Sequence, residues 1–176
     1  VHAHVERRVL DQVGGGRYAL FGHSMGALLA YEVARVAGTT GLGEPHHIFC
    51  SGLGAPWRIP ARAEPRSDEA LWSSTGLPPA IAREGGARRL ATLRADFAIA
   101  DGLRSSVPVR APFSVYGGLE DPHASLEELE RWHELTTQSF QVRHFPGKHF
   151  FLRTAQDAVL AAVREDLLRW APFLGA

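Results

Sequence analysis

Four short apolar runs recur along the chain, and each one ends at a glycine or at a proline followed by glycine. The runs are YALF at 18–21, HIFCS at 47–51, PFSVY at 112–116 and SFQVRHF at 139–145. Amphipathic helical patterns follow three of them, at 27–37, 126–136 and 155–168. Apolar strands that alternate with helices are typical of a parallel sheet covered by helices on both faces. The order of these patterns therefore predicts the α/β fold class.

Two further segments lie outside the alternation of strands and helices. A helical spacing of apolar residues at 5–13 precedes the first run, and three glycines at 14–16 end it. Residues 55–107 interrupt the alternation with a proline- and arginine-rich stretch and then short helical patterns near 68–73, 79–83 and 87–100. An insertion of this length between two strands usually has a function, often as a cap over a site.

Composition excludes several classes of protein. The 176 residues have room for one sizeable core, and 19 basic side chains balance 19 acidic ones. This balance argues against a nucleic-acid or anionic-membrane partner. Cys50 is the only cysteine, so an internal disulfide and a cysteine-based metal cluster are both excluded. No apolar stretch approaches the roughly 20 residues of a membrane span, and no signal segment opens the chain, so we expect a cytoplasmic protein.

The segment GHSMG at 22–26 fits the G-x-S-x-G pattern of a nucleophile elbow. It lies between a predicted strand and a predicted helix, where the flanking glycines would allow a close approach of the backbone. The N-terminus of the following helix would favour a developing oxyanion near Ser24. A structural turn without chemistry is the alternative interpretation of the same five residues.

A nucleophilic serine needs a base and a residue that orients the base. Asp121 follows the third predicted strand and His149 follows the fourth, so the chain order is Ser, Asp, His, as in α/β-hydrolases. The carboxyl ends of parallel strands lie at one edge of a sheet, where sites in such folds are found. Glu120 is an alternative acid, because it is adjacent to Asp121.

The other histidines have structural interpretations. His144 lies within the fourth predicted strand, where a hydrogen-bonded structural role is expected, and His23 is expected to pack or hydrogen-bond within the elbow. His46 and His47 are adjacent, so on a strand they face opposite sides and do not share a metal ion.

Four blocks of sequence carry a resemblance to a known family. They are FGHSMGALLAYEVAR, LATLRADFAIAD, GGLEDPHAS with a later RW, and FPGKHFFL, between about residues 18 and 168. Together they resemble the type II thioesterases of nonribosomal peptide and polyketide assembly lines. The resemblance implies one domain over 1–176 with the α/β-hydrolase fold, a three-layer sandwich with a parallel sheet and a helical lid at about 58–106.

The same resemblance implies hydrolysis of acyl groups from the phosphopantetheine arm of an acyl or peptidyl carrier protein. It assigns the nucleophile to Ser24, the acid to Asp121, the base to His149 and one oxyanion donor to the backbone N–H of Met25. It implies no metal and no organic cofactor. The expected biological role is the editing of stalled or wrongly primed assembly lines.

Two departures from the family pattern stand out. The last block usually reads Gly-Gly-His, whereas Lys148 precedes His149 here, and a cation beside the base disfavours its protonated form. Family members are also longer at the amino end, where a loop supplies a second oxyanion N–H. We therefore expect a domain that is incomplete at its N-terminus and lacks the early strands. The loss of one oxyanion donor costs about 10²–10³ in rate.

Three other functions remain open at this point. The chain could be a different α/β-hydrolase, such as a small-ester esterase or a chain-terminating thioesterase. It could be a truncated fragment that binds a carrier protein without catalysis. It could also be an α/β domain with an unrelated role.

Overall fold

The computed structural model describes residues 16–40, 43–58, 66–75, 78–84, 86–122 and 124–170. Within them, four parallel strands form one sheet in the order β1-β2-β3-β4. The strands are β1 Ala19–His23, β2 His47–Ser51, β3 Phe113–Gly118 and β4 Phe140–Phe145. Every residue of β2 and β3 is buried, which explains why the sequence shows continuous apolar runs there. The predicted parallel α/β fold is confirmed, while the helix predicted at 5–13 lies outside the described residues.

Seven α-helices occur among the described residues. They are α1 Met25–Thr40, α2 Asp68–Ser73, α3 Pro79–Ala82, α4 Gly86–Gly102, α5 Leu126–Glu130, α6 Phe151–Thr154 and α7 Gln156–Trp170. The side chains of Ser125 and Glu128 form a reciprocal capping box at the start of α5. None of the helices in these ranges is both long and apolar enough to cross a membrane.

The prediction of a single helix at 126–136 is wrong for the second half of this range. After α5 the chain tightens into a 3₁₀ helix at Arg131–Leu135. In this tighter helix residues three apart lie on one side, so Trp132 and Leu135 are both buried against the core. The indole N–H of Trp132 also donates a hydrogen bond to the carbonyl of Leu53 at 2.7 Å, which ties the segment to the end of β2.

Helices cover both faces of the sheet. One apolar cluster joins α1 to the sheet through Leu28, Tyr31 and Ile48. A second cluster lies on the opposite face and joins Phe49 to Val159 of α7. Consecutive residues of a strand point to opposite faces, which places Ile48 in one cluster and Phe49 in the other. The result is a three-layer arrangement with the carboxyl ends of all four strands at one edge.

A buried polar network fixes α7 against the sheet. The carboxylate of Asp166 is completely buried and accepts hydrogen bonds from Ser114 at 2.8 Å, Tyr116 at 2.7 Å and Arg143 at 2.5 Å. The Nε2 atom of His47 lies 2.8 Å from the same Ser114 hydroxyl. A buried carboxylate is tolerated only when it is hydrogen-bonded in this way, so the network specifies the position of α7.

The network predicts a dependence of stability on pH. Burial lowers the pKa of His47 to about 4, although the charge of Asp166 opposes this shift. The folded pKa is below the unfolded value of about 6.5. The contribution of neutral His47 to the stability of the fold is therefore fully present above pH 6.5 and is lost as the pH falls toward about 4. We expect His47 to contribute about 2 kcal/mol to the decrease in the free energy of unfolding over this interval, measured by urea unfolding at a series of pH values. The His47→Gln variant should show a shallower decrease, and equal slopes for the two proteins would contradict the assignment.

Candidate active site

Ser24 occupies a sharp turn between β1 and α1. Its φ of 54° lies in the left-handed region, and it is the only non-glycine residue with positive φ in the described part of the chain. Such a conformation costs roughly 1–2 kcal/mol for an L-residue. The Ser24 N–H donates a hydrogen bond of 2.7 Å to the carbonyl of Ser51 at the end of β2, which holds the turn in place. This strained strand-to-helix turn is the geometry of a nucleophile elbow.

The two glycines of the motif have different roles. A Cβ atom on Gly22 would lie 1.9 Å from the carbonyl oxygen of Gly26, so only glycine fits at the first position. A Cβ atom on Gly26 would meet no atom of the described residues within 4 Å. The expectation that both glycines permit a close approach is therefore confirmed for Gly22 and wrong for Gly26. The group of Gly26 that lies close to Gly22 is its backbone carbonyl, and any residue at position 26 would have this carbonyl.

This asymmetry predicts opposite outcomes for two alanine substitutions. Gly22→Ala forces the elbow apart, and we expect a loss of about 3 kcal/mol in the free energy of unfolding. Gly26→Ala should be neutral or stabilising by up to about 1 kcal/mol, because alanine is the better helix former. Urea unfolding of the two variants beside the wild type measures both effects. Equal destabilisation of the two variants would contradict the asymmetry.

Asp121 and His149 are hydrogen-bonded to each other. The Oδ2 atom of Asp121 lies 2.8 Å from Nδ1 of His149. The Asp121 side chain is fully buried, whereas that of His149 keeps 17% of its surface exposed. A buried carboxylate on Nδ1 fixes the tautomer and orientation of an imidazole and stabilises its protonated form. The pair therefore has the geometry of an oriented general base.

Close contacts between two loops bring this pair together. The backbone N–H of Glu120 donates a hydrogen bond of 3.0 Å to the carbonyl of Gly147. A Cβ atom on Gly118 would lie 2.6 Å from the carbonyl oxygens of Gly147 and Lys148, so glycine is required there. Gly147 itself adopts a φ of 117°, which favours glycine. These glycines let the loop after β3 approach the loop after β4.

The predicted residues all lie beyond the carboxyl ends of strands. Ser24 directly follows β1, Asp121 follows β3 and His149 follows β4. The ring of His23, the residue before Ser24, has its centroid 5.0 Å from the ring of His149. Asp121 is thus hydrogen-bonded to His149, and the elbow contacts His149 through the ring of His23.

The alternative residues are placed as follows. Glu120 is exposed, whereas the neighbouring Asp121 is buried. His144 is half-buried within β4, and His47 belongs to the polar network on the sheet. The Lys148 side chain is exposed, so water screens its charge from the adjacent base. Among the described residues, no group of three or more His, Cys, Asp or Glu side chains is arranged to hold a metal ion.

Sequence reasoning missed the contribution of Ser51. This residue is completely buried at the end of β2, where its carbonyl accepts from Ser24 and its hydroxyl lies 2.9 Å from Nδ1 of His23. The expected hydrogen-bonding role of His23 is confirmed by this contact. The feature of the sequence that indicates such a role is a polar residue at the end of a buried strand, directly before Gly52.

A parallel sheet with helices on both faces, a serine elbow after one strand and a carboxylate–histidine pair after two others are the features of the α/β-hydrolase fold. Comparison with known proteins gives the family. The sequence pattern of the thioesterase domain matches residues 7–167. The chain therefore belongs to the thioesterase family.

Individual relatives agree with this assignment. The gramicidin S biosynthesis protein GrsT of Aneurinibacillus migulanus is 33% identical over 146 residues, which make up 77% of this chain and 57% of that protein. The thioesterase RedJ from the prodiginine pathway of Streptomyces coelicolor superposes with a TM-score of 0.80 at 37% identity, over 92% of this chain and 65% of its own. The type II thioesterase BorB from the borrelidin biosynthetic cluster gives a TM-score of 0.75 at 28% identity, over 94% and 73%. The chain spans about three fifths of the length of GrsT and of two further curated relatives.

Proposed function

We propose that the protein is a serine thioesterase in which Ser24 is the nucleophile, His149 the general base and Asp121 the residue that orients the base. The observation that carries this proposal is the 2.8 Å hydrogen bond between His149 and Asp121, at the same sheet edge as the strained turn of Ser24. The membership of the thioesterase family supports the reaction class.

The first half of the reaction forms an acyl-enzyme. Because Nδ1 of His149 is bound to Asp121, Nε2 is the nitrogen that takes the proton from the Ser24 hydroxyl. The serine oxygen attacks the thioester carbonyl and forms a C–O bond. The resulting oxyanion accepts a hydrogen bond from the backbone N–H of Met25 at the start of α1, where the helix dipole adds to the stabilisation. The C–S bond then breaks, and the departing thiolate takes the proton from the imidazolium, which returns His149 to its neutral form.

The second half releases the acid. His149 activates a water molecule, which attacks the acyl-serine, and the imidazolium then returns its proton to Ser24. Asp121 stabilises the imidazolium in both halves without taking the proton itself. A thiolate is a good leaving group, so the first step needs little help from a general acid. No step requires a metal ion or an organic cofactor.

We further propose that the helices between β2 and β3 form a lid that shapes the acyl pocket, within a segment of about residues 58–106. Ion pairs join these helices and the residues next to their ends. They are Arg66 with Asp101 at 2.5 Å, Arg83 with Glu69 at 2.5 Å, and Arg94 with Asp68. The hydroxyl of Tyr31 in α1 donates to the carbonyl of Val107 at 2.7 Å and so anchors the end of the segment to the domain. These contacts connect α2, α3 and α4 to one another within the described part of the segment.

The proposed substrate is an acyl group on the phosphopantetheine arm of a carrier protein, and the proposed role is the editing of stalled assembly lines. Support comes from relatives such as the type II thioesterase BorB of a borrelidin cluster. A direct test compares kcat/KM for an acetylated carrier protein with kcat/KM for an aryl acetate. We expect a preference of roughly 100-fold or more for the carrier, because binding of the remote carrier contributes to catalysis.

Other outcomes of the same test separate the alternatives. Equal or greater turnover of the aryl ester would identify a general esterase. Binding of the acetylated carrier without release of acetate by the wild type would identify a non-catalytic carrier-binding domain. Either outcome would overturn the proposed function.

A further inference from the structure

His23 is clamped on two sides. Its Nδ1 atom lies 2.9 Å from the hydroxyl of Ser51, which is the residue paired with it in the register of β1 and β2. On another side the ring lies against Gly52, where a Cβ atom would be only 2.6 Å from Cε1 of the imidazole. Gly52 also has a φ of 66°, so both its space and its backbone conformation favour glycine. The position of the His23 ring is therefore tightly defined.

The clamped ring in turn contacts His149. The two imidazole centroids lie 5.0 Å apart with an angle of 42° between the planes. The ring of Phe151 packs edge-on against His23 at 5.8 Å, which closes another side. His149 is thus held by Asp121 at one nitrogen and is contacted by His23 at its ring. A hydrogen bond at a single nitrogen leaves rotation about that bond unrestricted, and a packed neighbouring ring restricts it.

Ser51 connects this contact to the nucleophile. Its carbonyl accepts the Ser24 N–H at 2.7 Å, while its hydroxyl holds His23. One buried residue of β2 therefore sets both the backbone of the nucleophile and the side chain that contacts the base. The positions of the nucleophile and of the base therefore both depend on Ser51.

We propose that His23 and Ser51 are positioning residues, which orient the imidazole of His149 relative to Ser24. This inference rests on the proposed function, since it assigns the base to His149. Neither residue touches the reacting atoms in this account, and both act through His149 and the backbone of Ser24.

The charge state of His23 supports this role. Burial, followed by the charge of His149, lowers the pKa of His23 to about 4, while the charge of Asp121 opposes the shift. The titratable groups that face His23 are thus His149 and Asp121, and the end of β2 and the start of α6 contribute the uncharged Ser51, Gly52 and Phe151. His23 is neutral near pH 7, so no second positive charge opposes the proton that His149 takes up.

Three substitutions each remove either the ring contact or the hydrogen bond. His23→Phe keeps a ring and loses the hydrogen bond to Ser51, and Ser51→Ala removes the same bond from the other side. His23→Asn keeps a hydrogen-bonding group near the Nδ1 position and loses the ring. His133→Asn is the matched control, because His133 is exposed and its Nδ1 contacts the carbonyl of Glu130 within its own turn.

We measure kcat and KM with an acetylated carrier protein, and the low-field proton resonance of the His149 Nδ1–H by NMR. All three test variants should lose roughly 10-fold in kcat with unchanged KM, because a misplaced base affects the chemical step. They should also shift or broaden the His149 resonance, whereas His133→Asn should match the wild type in both measurements. A purely structural role would lower the fraction of folded protein without altering the resonance of the folded fraction.

Wild-type kcat and an unchanged His149 resonance in folded His23 variants would overturn the inference. Should the His23 variants fail to fold, as judged by circular dichroism, Ser51→Ala decides by the same two criteria. Should the wild type release no acetate from the carrier, the proposed function fails. The NMR comparison then still decides whether His23 and Ser51 orient His149.

Discussion

Replacement of Ser24 by alanine is expected to abolish the release of acetate from an acetylated carrier protein. The variant loses the oxygen that forms the acyl-enzyme, and the loss of a serine nucleophile from a triad lowers kcat by about 10⁶. Mass spectrometry of the carrier, with and without its acetyl group, follows the reaction directly. The substitution removes one oxygen atom from a half-buried position, so the fold should be retained.

Ser73→Ala is the matched control for this experiment. Ser73 is the last residue of α2 and is exposed, so its removal should leave turnover at the wild-type rate. Undiminished release of acetate by the Ser24 variant would remove the serine-hydrolase mechanism altogether.

Asp121→Asn is expected to lower kcat by about 10⁴ while the protein remains folded. The asparagine amide can donate to Nδ1 of His149 and so favours the wrong tautomer, and it carries no charge to stabilise the imidazolium. The Asp121 side chain is fully buried and lies 2.8 Å from Nδ1, so water cannot substitute for the missing charge. Steady-state kinetics with the acetylated carrier measures the loss.

The adjacent Glu120→Gln variant controls for a change of charge at this loop. Glu120 is exposed, so its substitution should change kcat by less than about 2-fold. The reverse pattern, with a large loss for Glu120→Gln and a small one for Asp121→Asn, would assign the orienting acid to Glu120.

The two central strands, β2 and β3, were predictable because they are buried on both faces of the sheet. A strand such as β2, in which every residue is buried, appears in the sequence as a continuous apolar run. The predicted strand at 47–51 agrees with His47–Ser51, and the others differ by one or two residues at their ends. The helix at 126–136 was less predictable, since the burial of Trp132 and Leu135 selects a 3₁₀ geometry that the helical pattern does not distinguish.

The location of the candidate site was also predictable, whereas its internal contacts were not. Chain order and the common edge of parallel strands predicted a site at the carboxyl ends of β1, β3 and β4, and the structure shows Asp121 hydrogen-bonded to His149 there. The role of Ser51 depends on the register between β1 and β2, which places it beside His23. The register depends on the packing of whole strands, so the local sequence HIFCSG does not predict which residue of β1 pairs with Ser51.

Covalent reaction with a fluorophosphonate, located by peptide mapping and mass spectrometry, tests whether Ser24 is the activated nucleophile. Such a reagent attacks a serine that an oriented histidine has activated. We expect a single phosphonyl adduct on Ser24, formed by the wild type and lost when His149 is replaced by alanine. An unmodified protein that is folded, or an adduct on any other serine, would contradict it.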